Sequence, residues 1–424
     1  MTNNSRLDQI SKYSLLVFAF SIPWSSALYR MSVLSLCICF AAFVWLAISK
    51  KFIKDSEVEY LNLEPRIEWI WPLLLTAWVC LSWFWTSGNN ELYRFDAWRY
   101  VKLTMIPVIG FFIQRLFRGN ELQVIKAFCF GIIILMIPTY LDFLGLFNLL
   151  GLTGYIKGDA AYKHDSALGM NLVYWHNQIV HGFHVAMLFA ISILTRPKEG
   201  KTKYLHDALA LLCAFDVIFL IVGKMALFSL LASAFVVLIF TEQAKGRLKF
   251  LLFGALASVV LFISIDAVQL RALTPWYEMM NYFHNNQIDT SIGNRLHYWQ
   301  ISLDLFSNHP IIGNGAGSFR QWLISHTDPL VENHHYHTHN EYLTQLSQFG
   351  LIGLGLFSGM FYFVIKSAFN NPNKVVKHCI LVVLVIFLIN AMSDSSLHNE
   401  WEGWTLVLFS GIAISHLMRF KSVD

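Results

Sequence analysis

Apolar runs recur along this chain with a length that a water-soluble core does not require. A helix needs about 20 apolar residues to cross the hydrocarbon layer of a bilayer, and on that ruler the sequence offers about twelve candidate spans. They are centred near residues 21, 40, 77, 107, 136, 185, 215, 233, 258, 355, 386 and 410. Inside lipid, backbone polar groups find partners only in helices or closed barrels, and runs this long are helical. The expected fold class is therefore all-α, a polytopic membrane helix bundle. Only 14% of the residues are charged, against about 25% in a soluble domain, too few to cover a surface facing water. The 14 Trp and 35 Phe suit lipid contact and interfacial aromatic belts.

Lys and Arg orient the bundle. With both termini in the cytoplasm, basic residues favour that side by roughly two to one, as the positive-inside rule requires. Residues 1–265 then hold nine spans, 266–341 form one large helical loop on the outer face, and 342–424 hold the last three spans. Polar residues Met1 to Lys12 precede the first run, and no small-residue cleavage site follows it, so that run reads as a retained span. The net charge of +4 is scattered between apolar runs, which argues against nucleic acid as a partner. Cys37, Cys39, Cys80, Cys129, Cys213 and Cys379 lie in or beside apolar segments, with neither metal-site spacing nor a disulfide candidate.

Histidine has the opposite bias. Of the 16 histidines, only His206, His378 and His416 fall on the basic side. Charge-based topology gives no reason for this, whereas a site on the outer face does. The outer loop carries three features. Leu296, Trp299, Leu303 and Phe306 have helical spacing, so an amphipathic helix begins near Asn294, with Arg295 and His297 in its first turn. Asn308-His309-Pro310 ends it. Gly313, Gly315 and Gly317 follow without the Lys-Ser/Thr of a nucleotide loop, which leaves a tight, close-packed turn.

The third feature is the tract from His334 to Leu343, where His337 and His339 precede a helix with Asn340 and Glu341 as caps. Three readings stand. A metal site wants spaced His with carboxylates, and this tract has no helical His-x-x-x-His pair. A solvated polar loop needs no function. A general base suits imidazole, which titrates near neutrality and takes a proton from a hydroxyl; this is the favoured reading. Lys224 lies in the otherwise apolar tract Leu220 to Leu227, where a lone charge is costly. Arg295 is either an interfacial snorkelling cation or, with Lys224, a clamp for an anion such as a diphosphate.

Three stretches carry a family resemblance: Ser291-Ile292-Gly293-Asn294-Arg295-Leu296-His297-Tyr298-Trp299, Asn308-His309-Pro310-Ile311-Ile312-Gly313-Asn314-Gly315, and His337-Thr338-His339-Asn340-Glu341-Tyr342-Leu343 with Gly350 and Gly353. In order and spacing they resemble the bacterial O-antigen ligase / O-antigen polymerase superfamily. The resemblance implies an inner-membrane glycosyltransferase with a periplasmic site, using an undecaprenyl-diphosphate-linked glycan and neither metal nor nucleotide cofactor. On it, His339 looks like the base that activates the acceptor hydroxyl and Arg295 binds the donor diphosphate. A second family arginine falls on Lys224, which keeps the charge but loses the bidentate fork. His337, His297 and Trp299 are candidate substrate contacts, as are His176 and His181 at the outer end of a helix, with His184 beyond them. Lipid A–core as acceptor makes the protein an O-antigen ligase, and a lipid-linked glycan makes it a polymerase. Transfer to protein fits less well, since such members resemble longer chains. A transporter of lipid-linked or polar solutes would show two related halves, and no internal repeat is visible.

Overall fold

The computed structural model describes residues 3–51, 67–149, 178–221, 223–240, 266–326 and 337–418. Among them no strand occurs. The chain runs α1 (Asn3–Ser21), α2 (Ser26–Lys51), α3 (Ile67–Leu81), α4 (Asn90–Val101), α5 (Met105–Phe117), α6 (Leu122–Phe143) and the short α7 (Leu146–Leu149). It continues with α8 (Gln178–Leu194), α9 (Thr202–Phe215), α10 (Lys224–Phe240), α11 (Asp266–Asn285), α12 (Ser291–Asn308) and α13 (Ser318–Ser325). The last three are α14 (Glu341–Phe369), α15 (Lys374–Asn390) and α16 (Glu400–Ser415).

Four stretches among the described residues are long and apolar enough to cross a membrane: Ser26–Leu46, Asn90–Phe117, Leu122–Phe143 and Glu341–Phe369. Shorter apolar helices cover Glu68–Phe84, Gln178–Leu194 and Lys224–Phe240. The expected count of about twelve full spans is not reached by this measure. The run expected near residue 258 lies outside the described residues. The run centred near residue 21 falls on a turn, because Pro23 lacks the N–H a helix would use and the N–H groups of Trp24 and Ser25 fold back onto the Ser21 carbonyl.

In the bundle α5 packs along α16, α8 along α10, α1 along α2 and α3 along α14. Ile106, Ile109 and Phe112 of α5 and Leu408, Phe409 and Ile412 of α16 are fully buried. In α12, the Thr290 side chain caps the first turn by accepting from the Gly293 N–H. Tyr298, Ile301 and Leu305 of this helix pack on Phe319 and Leu323 of α13. The stripe expected from periodicity is the other one: Leu303 is half exposed. The helix is apolar on two sides, and spacing alone does not say which side meets protein.

The glycine turn straps this polar segment to the bundle. Helix α14 breaks at Gly350, whose φ of 68° and ψ of −165° are closed to other residues. Into the break fits residues 311–315: the Asn314 N–H donates to Ser347 O at 3.0 Å, the Gly315 N–H to Gln348 O at 2.8 Å, and the Leu351 N–H to Pro310 O at 2.9 Å. A Cβ on Gly350 would sit 2.3 Å from the Ile311 carbonyl oxygen. Gly350→Ala therefore combines a disfavoured φ with a backbone collision, a loss of about 2 kcal/mol or more. The expected result is a clear drop in the melting temperature of the purified protein in detergent; an unchanged melting temperature would refute the strap.

Candidate active site

The site is built where the chain enters α14. The side chain of Asn340 caps this helix by accepting from the Leu343 N–H. Glu341, fully buried, accepts from the Leu397 N–H at 3.0 Å, from the Tyr100 hydroxyl at 3.1 Å and from the Gln345 amide at 2.8 Å. Its own N–H donates to Ala391 O at 2.8 Å, and the Asn340 amide donates to Met392 O at 3.1 Å. These bonds hold the loop between α15 and α16 beneath the histidine tract. Thr338, also fully buried, pins the tract through hydroxyl contacts with Thr344 at 2.6 Å and Ser395 at 3.3 Å.

With Thr338 turned inward, both flanking histidines meet Asp394. His337 Nδ1 lies 3.8 Å and His339 Nδ1 3.7 Å from Asp394 Oδ1, longer than a formed hydrogen bond and ionic when the imidazoles are protonated. The two imidazole centroids are 4.2 Å apart. His339 stacks parallel to the Tyr298 ring at 6.1 Å, which ties it to α12. Its φ is 51°, left-handed backbone that is uncommon outside glycine and costs of the order of 1–3 kcal/mol, strain that clusters at functional sites.

Asp394 is the charged centre of the arrangement. Burial acts to raise its pKa, but the pull of His339 and His337 and the Ser395 N–H outweighs burial and holds it at about 2. A folded value below the ordinary one means that its ionisation stabilises the fold above about pH 4 and that this contribution is lost as the pH falls through about 2. In Asp394→Asn the melting temperature should lie below that of wild type at about pH 5, and the gap should narrow below about pH 4 and close towards about pH 2. A gap that persists unchanged into acid would show that the carboxylate charge is not what matters.

Arg295, half-buried in the first turn of α12, reaches the same loop. Its Nε donates to Ser393 O at 3.3 Å, and Nη1 donates to Ser291 O at 3.2 Å and Ser291 Oγ at 2.8 Å. None of these bonds uses Nη2. Burial pushes the guanidinium pKa down while Asp394 and Glu278 pull it up, and from a starting value this high the group stays cationic. Glu278 of α11 links the next cation: its Oε1 accepts from Lys224 Nζ at 2.9 Å and its Oε2 from the Ile292 N–H at 3.0 Å. Lys224 is the first residue of α10. Contacts thus run from His339 through Asp394 and Ser393 to Arg295, and through α12 and Glu278 to Lys224.

The other expected site residues are placed differently. His297 is half-buried on α12, its ring tilted 6.3 Å from that of Tyr298. Trp299 is half-buried, and its indole N–H meets no acceptor among the described residues. His181 is buried inside the bundle, its Nε2 3.2 Å from Asp216 Oδ1, where the chain makes a π-turn (Asp216–Leu220) just before α10. His184 is buried against Thr405 and Val180 O. His176 lies outside the described residues. Asp394 and Glu278 were not singled out from sequence; the only hint was that Asp394 falls in a short polar loop.

An imidazole beside a carboxylate, with two cations joined to it through a few contacts, is an arrangement able to take a proton from a hydroxyl and to hold an anion. Residues 209–358 match the family model described as O-antigen ligase. The matched stretch contains Lys224, Glu278, Arg295, His337 and His339 and ends before Asp394. No curated protein matches the chain.

Proposed function

We propose, from the match of residues 209–358 to the O-antigen ligase family model, that this chain transfers an O-antigen-type glycan from undecaprenyl diphosphate to lipid A–core. The reaction takes place at the periplasmic leaflet of a bacterial inner membrane, with both termini cytoplasmic. The observation that carries the reading is the run of contacts joining His339 and Asp394 to Arg295.

In this mechanism Asp394 attracts the Nδ1 proton of His339 and leaves Nε2 as the base. The acceptor hydroxyl gives its proton to Nε2 while its oxygen bonds to the anomeric carbon of the donor sugar. The bond from that carbon to the diphosphate breaks, and undecaprenyl diphosphate leaves. Arg295, through Nη2, and Lys224 carry the negative charge that grows on the leaving group, where fixed donors are most effective. Proton transfer and charge stabilisation both come from side chains, so the reaction needs neither metal nor nucleotide.

The test is reconstituted transfer from lipid-linked glycan to purified lipid A–core, run beside the same donor with a lipid-linked glycan acceptor. Product on lipid A–core, with EDTA leaving the rate undiminished, is the expected result. Product only on the lipid-linked acceptor would make the protein a polymerase with the same chemistry. No product on either would defeat glycosyl transfer.

A further inference from the structure

The same tract has a second chemical capacity. His337, His339 and Asp394 each offer one ligand atom, a ring nitrogen or a carboxylate oxygen, and the three atoms lie within 4.8 Å of one another. Two imidazoles and one carboxylate are a donor set that zinc accepts at about 2.0–2.2 Å, with a fourth position left for water. Ligands around a tetrahedral ion at those distances stand about 3.3 Å apart. The carboxylate oxygen is already 3.8 and 3.7 Å from the two nitrogens, so closure needs about half an ångström on each of these edges.

The donors are also supported. Asp394 Oδ1 accepts from the Ser395 N–H at 2.9 Å, Thr338 fixes the backbone between the histidines, and Glu341 ties down the loop that carries the carboxylate. Such outer partners are what hold metal ligands in orientation. His337 is partly exposed, its side chain 31% accessible against 7% for Asp394, which gives an ion a way in. The charged groups facing the carboxylate are Arg295, whose Nε reaches Ser393 O, and Glu402, which acts on Asp394 electrostatically.

We propose that His337, His339 and Asp394 bind a divalent transition-metal ion of the zinc class and that the bound ion switches off glycosyl transfer. The second half rests on the reading of His339 as base. An ion on Nδ1 of His339 takes the lone pair there and leaves the ring proton on Nε2. That nitrogen then has no lone pair to accept a proton, and Asp394 is engaged by the ion. The ion thus inhibits without entering the chemistry.

The experiment uses the full chain in detergent, stripped with EDTA, and titrated with Zn2+ against a chromophoric chelator. One Zn2+ per chain is expected, with affinity falling at least about a hundredfold in His337→Ala and Asp394→Asn. A His337→Cys variant loaded with Co2+ should show a thiolate-to-metal charge-transfer band, a readout independent of activity. Unchanged Zn2+ affinity in both variants, or no such band, would overturn the site and leave His339 as base untouched. In the transfer assay Zn2+ should cut the rate at least about tenfold at saturation, reversibly with EDTA, its midpoint tracking the measured affinity. Site-specific binding with undiminished transfer would overturn the inhibition and, with it, the assignment of His339 as base.

Discussion

His339→Ala is expected to lower the rate of glycan transfer by about 10²- to 10⁴-fold, the usual worth of a positioned general base. In the proposed mechanism the imidazole acts on the acceptor proton in the transition state and holds little of the bound donor, so the loss should fall on kcat. The variant keeps a Cβ at the left-handed position and so leaves that backbone strain in place, while the Asn340 cap and Thr338 contacts remain, so folding should survive. Melting temperature and donor binding are therefore the controls. His339→Gln, which can hydrogen-bond but cannot take the proton, should be nearly as inactive as alanine. Undiminished product from either variant would remove His339 from the chemistry. Asp394→Asn should cost less, since the base remains.

How far this site was legible in the sequence depends on the kind of signal. Helix-bounding residues act locally, so the Asn340 cap and the end of α12 at Asn308 agree with expectation. The glycine turn was legible as close packing, but its partner, the break at Gly350, was not, because the strap joins backbone to backbone across distant segments. His339 stood out because it lies in a His-rich tract that runs into an apolar helix, and Arg295 because it opens an amphipathic one. Asp394 and Glu278 did not: a carboxylate's role comes from what the fold sets against it, and no spacing rule links Asp394 to a histidine two helices earlier in the chain. His181 shows the converse. It was grouped with the outer histidines by position near a helix end, while packing gives it a buried partner, Asp216. Span boundaries blurred for the same reason, since apolar runs record burial or lipid contact and not where a Pro23 or a π-turn interrupts a helix.

Arg295→Ala is expected to lower kcat by about 10²- to 10³-fold, the cost of removing one fixed donor from a developing anion. Two roles must be separated, because Arg295 Nε also holds Ser393 O and so steadies the loop that presents Asp394. Arg295→Lys keeps the charge and loses the fork. If charge on the leaving diphosphate is what matters, Lys should recover part of the rate. If the loop contact dominates, Lys should be as poor as Ala, and both should lower the melting temperature. Lys224→Ala should cost less than Arg295→Ala, since Lys224 is already paired with Glu278 at 2.9 Å, and a cation half neutralised by a neighbour has less attraction left for phosphate oxygens. Glu278→Gln frees that cation and should lower the KM for the lipid-linked donor while leaving the acceptor KM alone. A donor KM that rises instead would mean that Glu278 orients the site by holding the Ile292 N–H more than it competes with the substrate.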